Sequence, residues 1–421
     1  MTTTAPAEQP GRHKPCKSTN TPKLRDGVMK RGNTWSYVIR VPDPSTGASK
    51  PKWVGGFDTE EAAKAARDEA RIRARRGEFV NRSTSTVAGY LAEWVEAHAA
   101  TVKPKTFAGY RYDIDHYIVP RIGRMRLQAL RPAVISKLYR ELAEHGGRDG
   151  RPLSATTVSH IHRTLRKALA DGVDVEQVLA VNPAARSKRP RSSASEPIQV
   201  WTVQQLGAFL NTAGSHRLFA FFRLAAYTGA RRGELLYLRW EAVDLNAAEV
   251  TFGGSTAVVR GQRVEGTTKG GRSRTVSLDR DTVVVLREHR RQQAEERLAA
   301  GSAWNDSGGL VFVSRWGEPL HPDTVSGLMT KLIDRHNQAG PATLLPHARL
   351  HDLRHLHATT LLLAGVPVHV VAARLGHADP AVTLRVYSHV LREHAAGVGD
   401  IFAQAVKAPV SKSVSNERRT P

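Results

Sequence analysis

The N-terminal part of the chain changes from a patternless tail to alternating and then helical periodicity. Residues 1–26 are rich in Thr, Pro, Lys and Arg and have no hydrophobic period, which is typical of a disordered basic tail. TWSYVIRV at 34–41 alternates like a β-strand, and KPKWVGGF at 50–57 indicates a second strand after a turn rich in Pro, Gly and Ser. The charged segment 59–79 has the composition of a helix. We therefore expect a small domain of sheet plus helix over residues 27–82.

Between residues 83 and 185 the apolar residues recur with a helical period. They form four stripes: Val87, Leu91, Trp94 and Val95; Phe107, Tyr110, Ile114 and Tyr117; Val134, Leu138 and Leu142; Val158, Ile161, Leu165 and Leu169. Pro104, Pro132 and Ser154 stand where the last three helices should begin. Short connections between four helices favour a compact helical bundle.

The remaining chain predicts a linker, a large mixed domain and a tail. RSKRPRSSASEP at 186–197 has no periodicity and is typical of a linker. Residues 198–402 are mainly helical, with strand-like segments at 249–278, and the polar segment 403–421 is expected to be a loosely ordered tail. The predicted fold class is multidomain and mainly α: a small β-sheet plus helix, a helical bundle, and a mixed α+β domain.

The charge of the chain limits the class of molecule that it is expected to bind. Lys and Arg number 62 against 39 Asp and Glu, which gives a formal net charge of +23. A polyanion, and nucleic acid first, is the usual partner of such a chain. Cys16 is the single cysteine, so neither an internal disulfide nor a thiolate metal cage is expected. No apolar run approaches the roughly 20 residues that span a bilayer, so a cytoplasmic protein without membrane contact is the default expectation.

Two basic residues stand where an anion could bind. Arg231 follows the break Thr228-Gly229 and lies beside a helix N-terminus, whose free N–H groups favour an anion. Its ordinary alternative is a salt bridge to Glu234 on the same helical face. Lys269 precedes the Gly270-Gly271 turn, where it is either soluble turn material or a residue that reaches toward a ligand.

Three further candidates lie near the C-terminus. His351 and Arg354 are three residues apart and share a helical face. His377 follows Gly376, a residue typical of a left-handed helix end, and precedes the helix that carries Tyr387. By its helical spacing from apolar neighbours, Tyr387 is either a packed aromatic or a residue whose hydroxyl does chemistry.

The density of histidines raises the question of a metal. His351, His355 and His357 do not form the HExxH arrangement, and no nearby Cys or Glu completes a ligand set. We expect packing or capping roles for His355 and His357. The sequence contains no Walker loop and no carboxylate cluster suited to magnesium, so no metal and no cofactor are predicted.

The candidate residues together suit a phosphodiester. Two arginines can hold its non-bridging oxygens by forked hydrogen bonds and stabilise the charge that builds on them. A tyrosine hydroxyl can attack phosphorus, a lysine can protonate the leaving oxygen, and histidines can handle the nucleophile's proton.

The motifs TGARRGELLYLRW, TTKGGRSRTV, HDLRH, LGH and TLRVYSHV occur in this order, and the sequence closely resembles the tyrosine recombinase family of the phage-integrase type. The resemblance spans the predicted domain 198–402. The helical unit 83–185 is similar to the family's core-site DNA-binding domain, and the unit 27–82 looks like its arm-site DNA-binding domain.

The resemblance implies a role for each candidate. Tyr387 would be the nucleophile, leaving a 3′-phosphotyrosyl link and a free 5′-hydroxyl. Arg231 and Arg354 would hold the scissile phosphate, and Lys269 would act as general acid toward the leaving 5′-oxygen. His351 and His377 would assist proton handling and phosphate contact, and Glu234 would brace Arg231.

The resemblance also implies an activity and partners. The expected activity is site-specific DNA recombination that integrates a phage or other mobile element, with excision as a candidate second reaction. Four protomers would act on two double-stranded attachment sites, without ATP. An excision factor and a host DNA-bending protein are candidate partners.

Three alternatives stay open at this point. A resolvase of plasmid or chromosome dimers would share the chemistry but would not need an arm-site reader. A non-catalytic DNA-binding regulator on the same fold would not need the full residue set. A metal-dependent nuclease would bind DNA but would fail in a chelator.

Overall fold

A computed structural model describes residues 27–42, 48–75, 80, 83–190, 201–268, 271–381, 383–384, 403 and 406. These residues fall into two compact units. One lies within Met1–Thr101 and Gly109–Ser193, and the other within Val102–Ala108 and Ala194–Pro421. The predicted N-terminal tail, most of the predicted C-terminal tail and most of the predicted linker lie outside the described residues.

The first unit begins with an antiparallel sheet in the order β1-β2-β3, covered on one face by a helix. The elements are β1 Val28–Arg31, β2 Thr34–Pro42, β3 Ser49–Phe57 and α1 Glu60–Arg75. Val28, Tyr37 and Ile39 of the sheet pack with Ala63 and Ala70 of the helix. The sequence predicted β2, β3 and the helix but missed β1.

The opposite face of this sheet carries basic and aromatic side chains. Trp53 pairs with Val38 across the strands, and Arg40 lies two residues further along β2, so the three residues share this face. The Arg31 guanidinium lies 4.2 Å from the centre of the Trp53 ring. Trp53 is 38% exposed, so its ring and the guanidinium beside it are accessible on this face.

The predicted helical bundle occupies the rest of this part of the chain. Its helices are α2 Val87–Ala97, α3 Pro104–Asp113, α4 Val119–Ile122, α5 Pro132–His145 and α6 Ala155–Asp174, with one π-helical turn at Ile114–Ile118. Ser154 caps α6 as predicted, since its side chain accepts a hydrogen bond from the Thr157 N–H. Leu91, Leu138 and Leu165 from three of the predicted stripes are fully buried.

Asp171 holds a polar cluster inside the bundle. Its carboxylate accepts hydrogen bonds from the indole N–H of Trp94 at 2.9 Å and from the Lys167 ammonium at 2.6 and 2.8 Å. Burial alone would raise the pKa of Asp171, but these two hydrogen bonds and the Lys167 charge lower it. Trp94 is only 1% exposed, so its N–H depends on this carboxylate.

The second unit is mixed α+β. Its helices are α7 Val203–Ala213, α8 Phe219–Thr228, α9 Arg232–Tyr237, α10 Arg280–Ala300, α11 Pro322–Gln338, α12 Leu350–Leu363 and α13 Val368–Leu375. Its strands are β4 Val243–Asp244, β5 Glu249–Phe252, β6 Gly254–Val259, β7 Gln262–Thr267 and β8 Arg274–Ser277. The strands form a sheet in the order β4-β5-β8 and a separate β6-β7 hairpin. The predicted fold class is confirmed.

An aromatic core fixes α8 at the centre of this unit. Phe221 and Phe222 are fully buried, and their rings pack edge-on against Phe312 and Phe209, respectively. Because α8 is buried along most of its length, the position where it ends is held by packing. None of the helices in the described part of the chain is long and apolar enough to span a membrane.

We expect Asp171→Ala to lower the free energy of unfolding by about 2 kcal/mol, because it leaves the buried Trp94 N–H without an acceptor. Urea unfolding of the full chain followed by circular dichroism measures this change. Asp174→Ala, an exposed change at the end of the same helix, is the control. Equal stability of both variants would contradict the role assigned to Asp171.

Candidate active site

Arg231 lies at the N-terminus of α9, as predicted. Its backbone N–H donates to Glu234 Oε2 at 2.9 Å, and its Nη1 donates to Glu234 Oε1 at 2.8 Å. The Glu234 carboxylate is 2% exposed, whereas the Arg231 side chain is 31% exposed. The ion pair expected as the ordinary alternative is therefore present, and it holds Arg231 in place while part of the guanidinium faces solvent.

The turn before Arg231 requires glycine. Gly229 ends α8 in the left-handed region, with φ of +63°. A Cβ on it would lie 2.7 Å from Leu375 Cδ2, closer than Cβ atoms approach other atoms, and 3.0 Å from His357 Cδ2, which is a tight contact. The sequence predicted this break, and the close approach of α12 and α13 explains why no larger residue fits.

Arg354 of α12 connects two helix ends. Its guanidinium is buried, with the residue 2% exposed, and donates to the carbonyl oxygens of Gly229 at 2.8 Å and Leu375 at 2.7 Å. Gly229 precedes Arg231 by two residues, and Leu375 precedes His377 by two. Arg354 therefore holds together the segments that carry two other candidates.

His377 follows the left-handed end of α13 at Gly376, whose φ is +69°. The His377 backbone N–H donates to the Ala372 carbonyl at 2.9 Å, and Nδ1 lies 2.7 Å from the hydroxyl oxygen of the fully buried Thr383. The backbone contact fixes the turn that carries His377, and the Nδ1 contact fixes the orientation of its ring. The Nε2 edge is the one that remains for another partner.

His351 lies in the first turn of α12, with its ring edge-on to His355 at 4.8 Å between centres. Partial removal from water lowers the pKa of His351 to about 4, and the nearby charges of Arg354 and Arg231 add to this effect. The same causes, desolvation first and then Arg354 and Arg231, lower the pKa of His377 to about 4. Both rings are therefore neutral near pH 7 and able to accept a proton.

The structure brings four predicted residues together. Arg231, His351, Arg354 and His377 act on one another electrostatically, and His377 is also affected by Arg274. The other two, Lys269 and Tyr387, lie outside the described residues. Within the residues that the structure describes, no group of three His, Cys, Asp or Glu is placed to hold a metal ion.

His357 has the packing role expected for it. Arg374 Nε donates to His357 Nε2 at 3.1 Å, so this ring nitrogen carries no proton. Burial first, and then the Arg374 charge, lower the pKa of His357 to about 4. The same arginine donates from Nη2 to the Tyr227 and Ser277 carbonyls, so it joins α13 to α8 and β8.

Sequence reasoning missed Arg274. The structure places its guanidinium on the Glu234 carboxylate, at 3.1 and 2.7 Å. The available signal was a basic residue at the start of a strand, which by itself does not reveal a partner 40 positions away.

Sequence profiles match most of the described chain. A profile described as the phage integrase family matches residues 198–394. A phage integrase N-terminal SAM-like domain matches residues 86–143, and an arm DNA-binding domain matches residues 28–72.

Curated relatives agree with these profiles. A tyrosine recombinase XerC-like protein of Caldanaerobacter subterraneus is 29% identical over 352 residues, which cover 79% of this chain and 86% of the relative. The integrase of Streptomyces ambofaciens is 28% identical over 73% of this chain and 77% of its own length. The ICEBs1 integrase of Bacillus subtilis is 26% identical over 79% and 85%, respectively.

The fold matches solved integrases. The Tn1549 transposon integrase in complex with transposon right end DNA superposes with a TM-score of 0.64 and 18% identity, over 76% of this chain and 99% of that one. The lambda integrase tetramer bound to a Holliday junction gives a TM-score of 0.50 and 18% identity, over 86% of this chain and 95% of that one.

The three matched segments are those of a site-specific DNA recombinase. The chain belongs to the tyrosine recombinase family of the phage-integrase type. The resemblance found in the sequence is confirmed, and with it the integrase class of enzyme. The roles of the individual site residues stay predictions.

We expect stability to fall as the pH drops from 6.5 toward 4.5. An unfolded histidine takes up a proton near pH 6.5, whereas folded His357 resists it until about pH 4, so acid favours the unfolded chain. His357→Gln should reduce this fall by on the order of 1 kcal/mol. Urea midpoints across this pH range measure it, with exposed His369→Gln as control. An unchanged slope in His357→Gln would contradict a neutral buried ring.

Proposed function

We propose that the chain cuts and rejoins double-stranded DNA at the attachment sites of a phage or other mobile element, through a covalent link to Tyr387. The observation that carries the proposal is the link that Arg354 makes between the Gly229 and Leu375 carbonyls, which brings Arg231, His351 and His377 into one basic site. They lie within the segment matched by the phage integrase profile, which also contains Lys269 and Tyr387.

Each step of the proposed chemistry replaces one phosphodiester bond by another. The Tyr387 hydroxyl oxygen attacks the scissile phosphorus, and the bond from phosphorus to the 5′-oxygen breaks. A neutral histidine, His351 or His377, takes the phenolic proton, and Lys269 donates a proton to the leaving 5′-oxygen. Attack by a 5′-hydroxyl on the phosphotyrosine reverses the step, so rejoining needs no ATP.

The arginines supply the electrostatic part of this chemistry. Negative charge builds on the two non-bridging oxygens as phosphorus becomes five-coordinate, and guanidinium groups fixed beforehand stabilise it without reorganisation. Arg354 is fixed by two carbonyls and Arg231 by Glu234. Neither arginine has to be ordered by the DNA.

The N-terminal sheet favours an integrase over a resolvase of plasmid or chromosome dimers. The arm DNA-binding profile covers residues 28–72, a unit that a housekeeping resolvase does not need. A non-catalytic regulator is disfavoured because six residues of the expected types fill the motif positions.

The proposed assembly is a homotetramer on two DNA sites in the cytoplasm, associated with the nucleoid when it is bound. The lambda integrase tetramer on a Holliday junction, with a TM-score of 0.50, supports it by likeness of fold. An excision factor and a host DNA-bending protein remain candidate partners. Excision is the candidate reverse reaction.

The nucleophile is tested with a nicked duplex, taken from the DNA that this protein protects at the ends of the element carrying its gene, in buffer with EDTA. We expect the wild-type protein to form a covalent protein–DNA complex, which denaturing electrophoresis resolves. Tyr387→Phe should form none, because the ring has no oxygen to attack phosphorus.

Tyr237→Phe, in the α9 segment, is the matched control and should react as the wild type does. A covalent complex in Tyr387→Phe would refute the assignment of the nucleophile. Loss of all wild-type cleavage in EDTA would instead favour a metal-dependent nuclease.

The exposed sheet face is proposed to bind arm-type DNA through Arg31 and Arg40. The double change Arg31→Ala and Arg40→Ala should weaken binding to these sites and reduce the slope of log affinity against log salt by about one per lost phosphate contact. Fluorescence anisotropy over a salt series measures both. Cleavage of the nicked core duplex should not change.

Arg71→Ala is the matched control, because Arg71 is exposed on α1, the helix that covers the other face of the sheet. Equal salt slopes for the double variant and the wild type would contradict DNA binding by this face.

A further inference from the structure

We propose that Arg274 is a positioning residue of the recombination reaction, which sets Arg231 and His377 in register through Glu234 and the Arg374 carbonyl. The inference rests on the proposed function, since it assigns to Arg274 an effect on the groups that would hold the scissile phosphate. It is carried by the hydrogen bonds and packing of one guanidinium.

Arg274 uses its whole guanidinium on two partners. Nη1 and Nη2 donate to the two oxygens of the Glu234 carboxylate, at 3.1 and 2.7 Å, and Nε donates to the Arg374 carbonyl oxygen at 2.9 Å. The side chain is 11% exposed, and its charged end lies 4.9 Å from the centre of the Phe252 ring. Such a forked, buried contact is specific to arginine.

The two partners of Arg274 belong to the two segments that Arg354 also joins. Arg354 connects Gly229, before Arg231, to Leu375. Arg274 connects Glu234, after Arg231, to Arg374. The α8–α9 turn and the end of α13 are therefore held at two points, each by one arginine, and Arg231 lies between the two points on its own segment.

Contact with the backbone extends this control to His377. A Cβ on Gly376 would lie 2.9 Å from Arg274 Nη1 and 3.0 Å from its Cδ, so the arginine packs directly on the residue that precedes His377. The Gly376 conformation, with φ of +69°, sets the direction in which the chain enters His377. A displaced Arg274 would release this turn as well as Glu234.

Charge balance gives the second reason for an arginine here. Glu234 is a buried carboxylate, and its pKa is lowered because the hydrogen bonds and charges of Arg274 and Arg231 outweigh the effect of burial. Arg274 contributes two of the side-chain hydrogen bonds and Arg231 one. Without Arg274, the carboxylate would draw Arg231 inward and neutralise the charge proposed to act on the phosphate.

The test uses the full-length protein and the nicked duplex described above. Arg274→Lys keeps the charge but has one nitrogen, which cannot bond both Glu234 oxygens and the Arg374 carbonyl. We expect the rate of covalent-complex formation at saturating protein to fall about tenfold or more, since small misplacements of reacting groups have effects of this size. DNA affinity by anisotropy should change by about twofold or less.

Arg291→Lys is the matched control, because Arg291 is 62% exposed on α10 and pairs with acids of its own helix. It should behave as the wild type does. Arg274→Lys that cleaves at the wild-type rate would overturn the proposal, because the forked contact would then have no effect on the reaction. Equal losses of DNA affinity and cleavage rate would also overturn it and leave Arg274 a structural residue.

A substrate with an uncharged scissile phosphate distinguishes a positioning role of Arg274 from a general loss of structure in the variant. When one non-bridging oxygen of the scissile phosphate is replaced by methyl, the reaction no longer needs full stabilisation of that oxygen's charge. The defect of Arg274→Lys relative to the wild type should then shrink at least about threefold. A defect of the same size on both substrates would overturn the proposal.

A double-mutant cycle checks that the effect passes through Glu234. In a Glu234→Gln background, Arg274→Lys should slow cleavage by a smaller factor than in the wild type, because the carboxylate it acts on is gone. If Arg274→Lys slowed cleavage by the same factor in both backgrounds, the effect of Arg274 would not pass through Glu234. Failure of the proposed function looks different: the wild type would form no covalent complex, or Tyr387→Phe would form one.

Discussion

The arrangement of the site depends on the buried Arg354 guanidinium and the two carbonyls that it binds. Burying a charge is costly unless hydrogen bonds compensate for it. Gly229 and Leu375 lie at the C-terminal ends of α8 and α13, where the unpaired carbonyls carry the negative end of the helix dipole. Arg354 donates a hydrogen bond to one carbonyl at each helix end. It thereby fixes the distance between the turns that lead to Arg231 and His377.

After desolvation, the same cations are a further cause of the lowered pKa values of two histidines. Arg354 and Arg231 lower the pKa values of His351 and His377 in the protein alone, in addition to the effect of desolvation. A phosphate between these groups would offset part of that positive charge and raise both pKa values. The histidines would therefore become better proton acceptors when the substrate is present, which suits the role proposed for them.

Local sequence signals made much of this fold predictable. Features that depend on contacts between distant positions could not be predicted. The helix ends at Gly229 and Gly376 follow from glycine in the left-handed region, and the structure has them there. Strand β1 was missed because, of its four residues, Val28 alone is buried, which leaves no alternation to detect. Arg274 was missed because its contact with Glu234 joins positions 40 residues apart, and spacing along one element does not reveal such contacts.

The π-helical turn at Ile114–Ile118 shows a different limit. Both isoleucines are buried, and their spacing of four fits an ordinary α-helix equally well, so the pattern could not distinguish the two. The candidate site was more predictable than this turn because its residues carry chemistry as well as spacing. Arg231, His351, Arg354 and His377, the candidates that the structure describes, lie on the elements expected from the sequence, but only the fold shows which side chains hold them.

The groups that accept hydrogen bonds from the arginines explain how a site can be rigid and still bind an anion. A carboxylate would fix a guanidinium but cancel its charge, whereas a carbonyl fixes it and leaves the charge intact. Arg354 is held by carbonyls. Glu234 does hold Arg231, but it shares its charge with Arg274, so two arginines face one acid. The site therefore keeps a net positive charge in a fixed geometry, which is the condition for stabilising a phosphate as its charge grows.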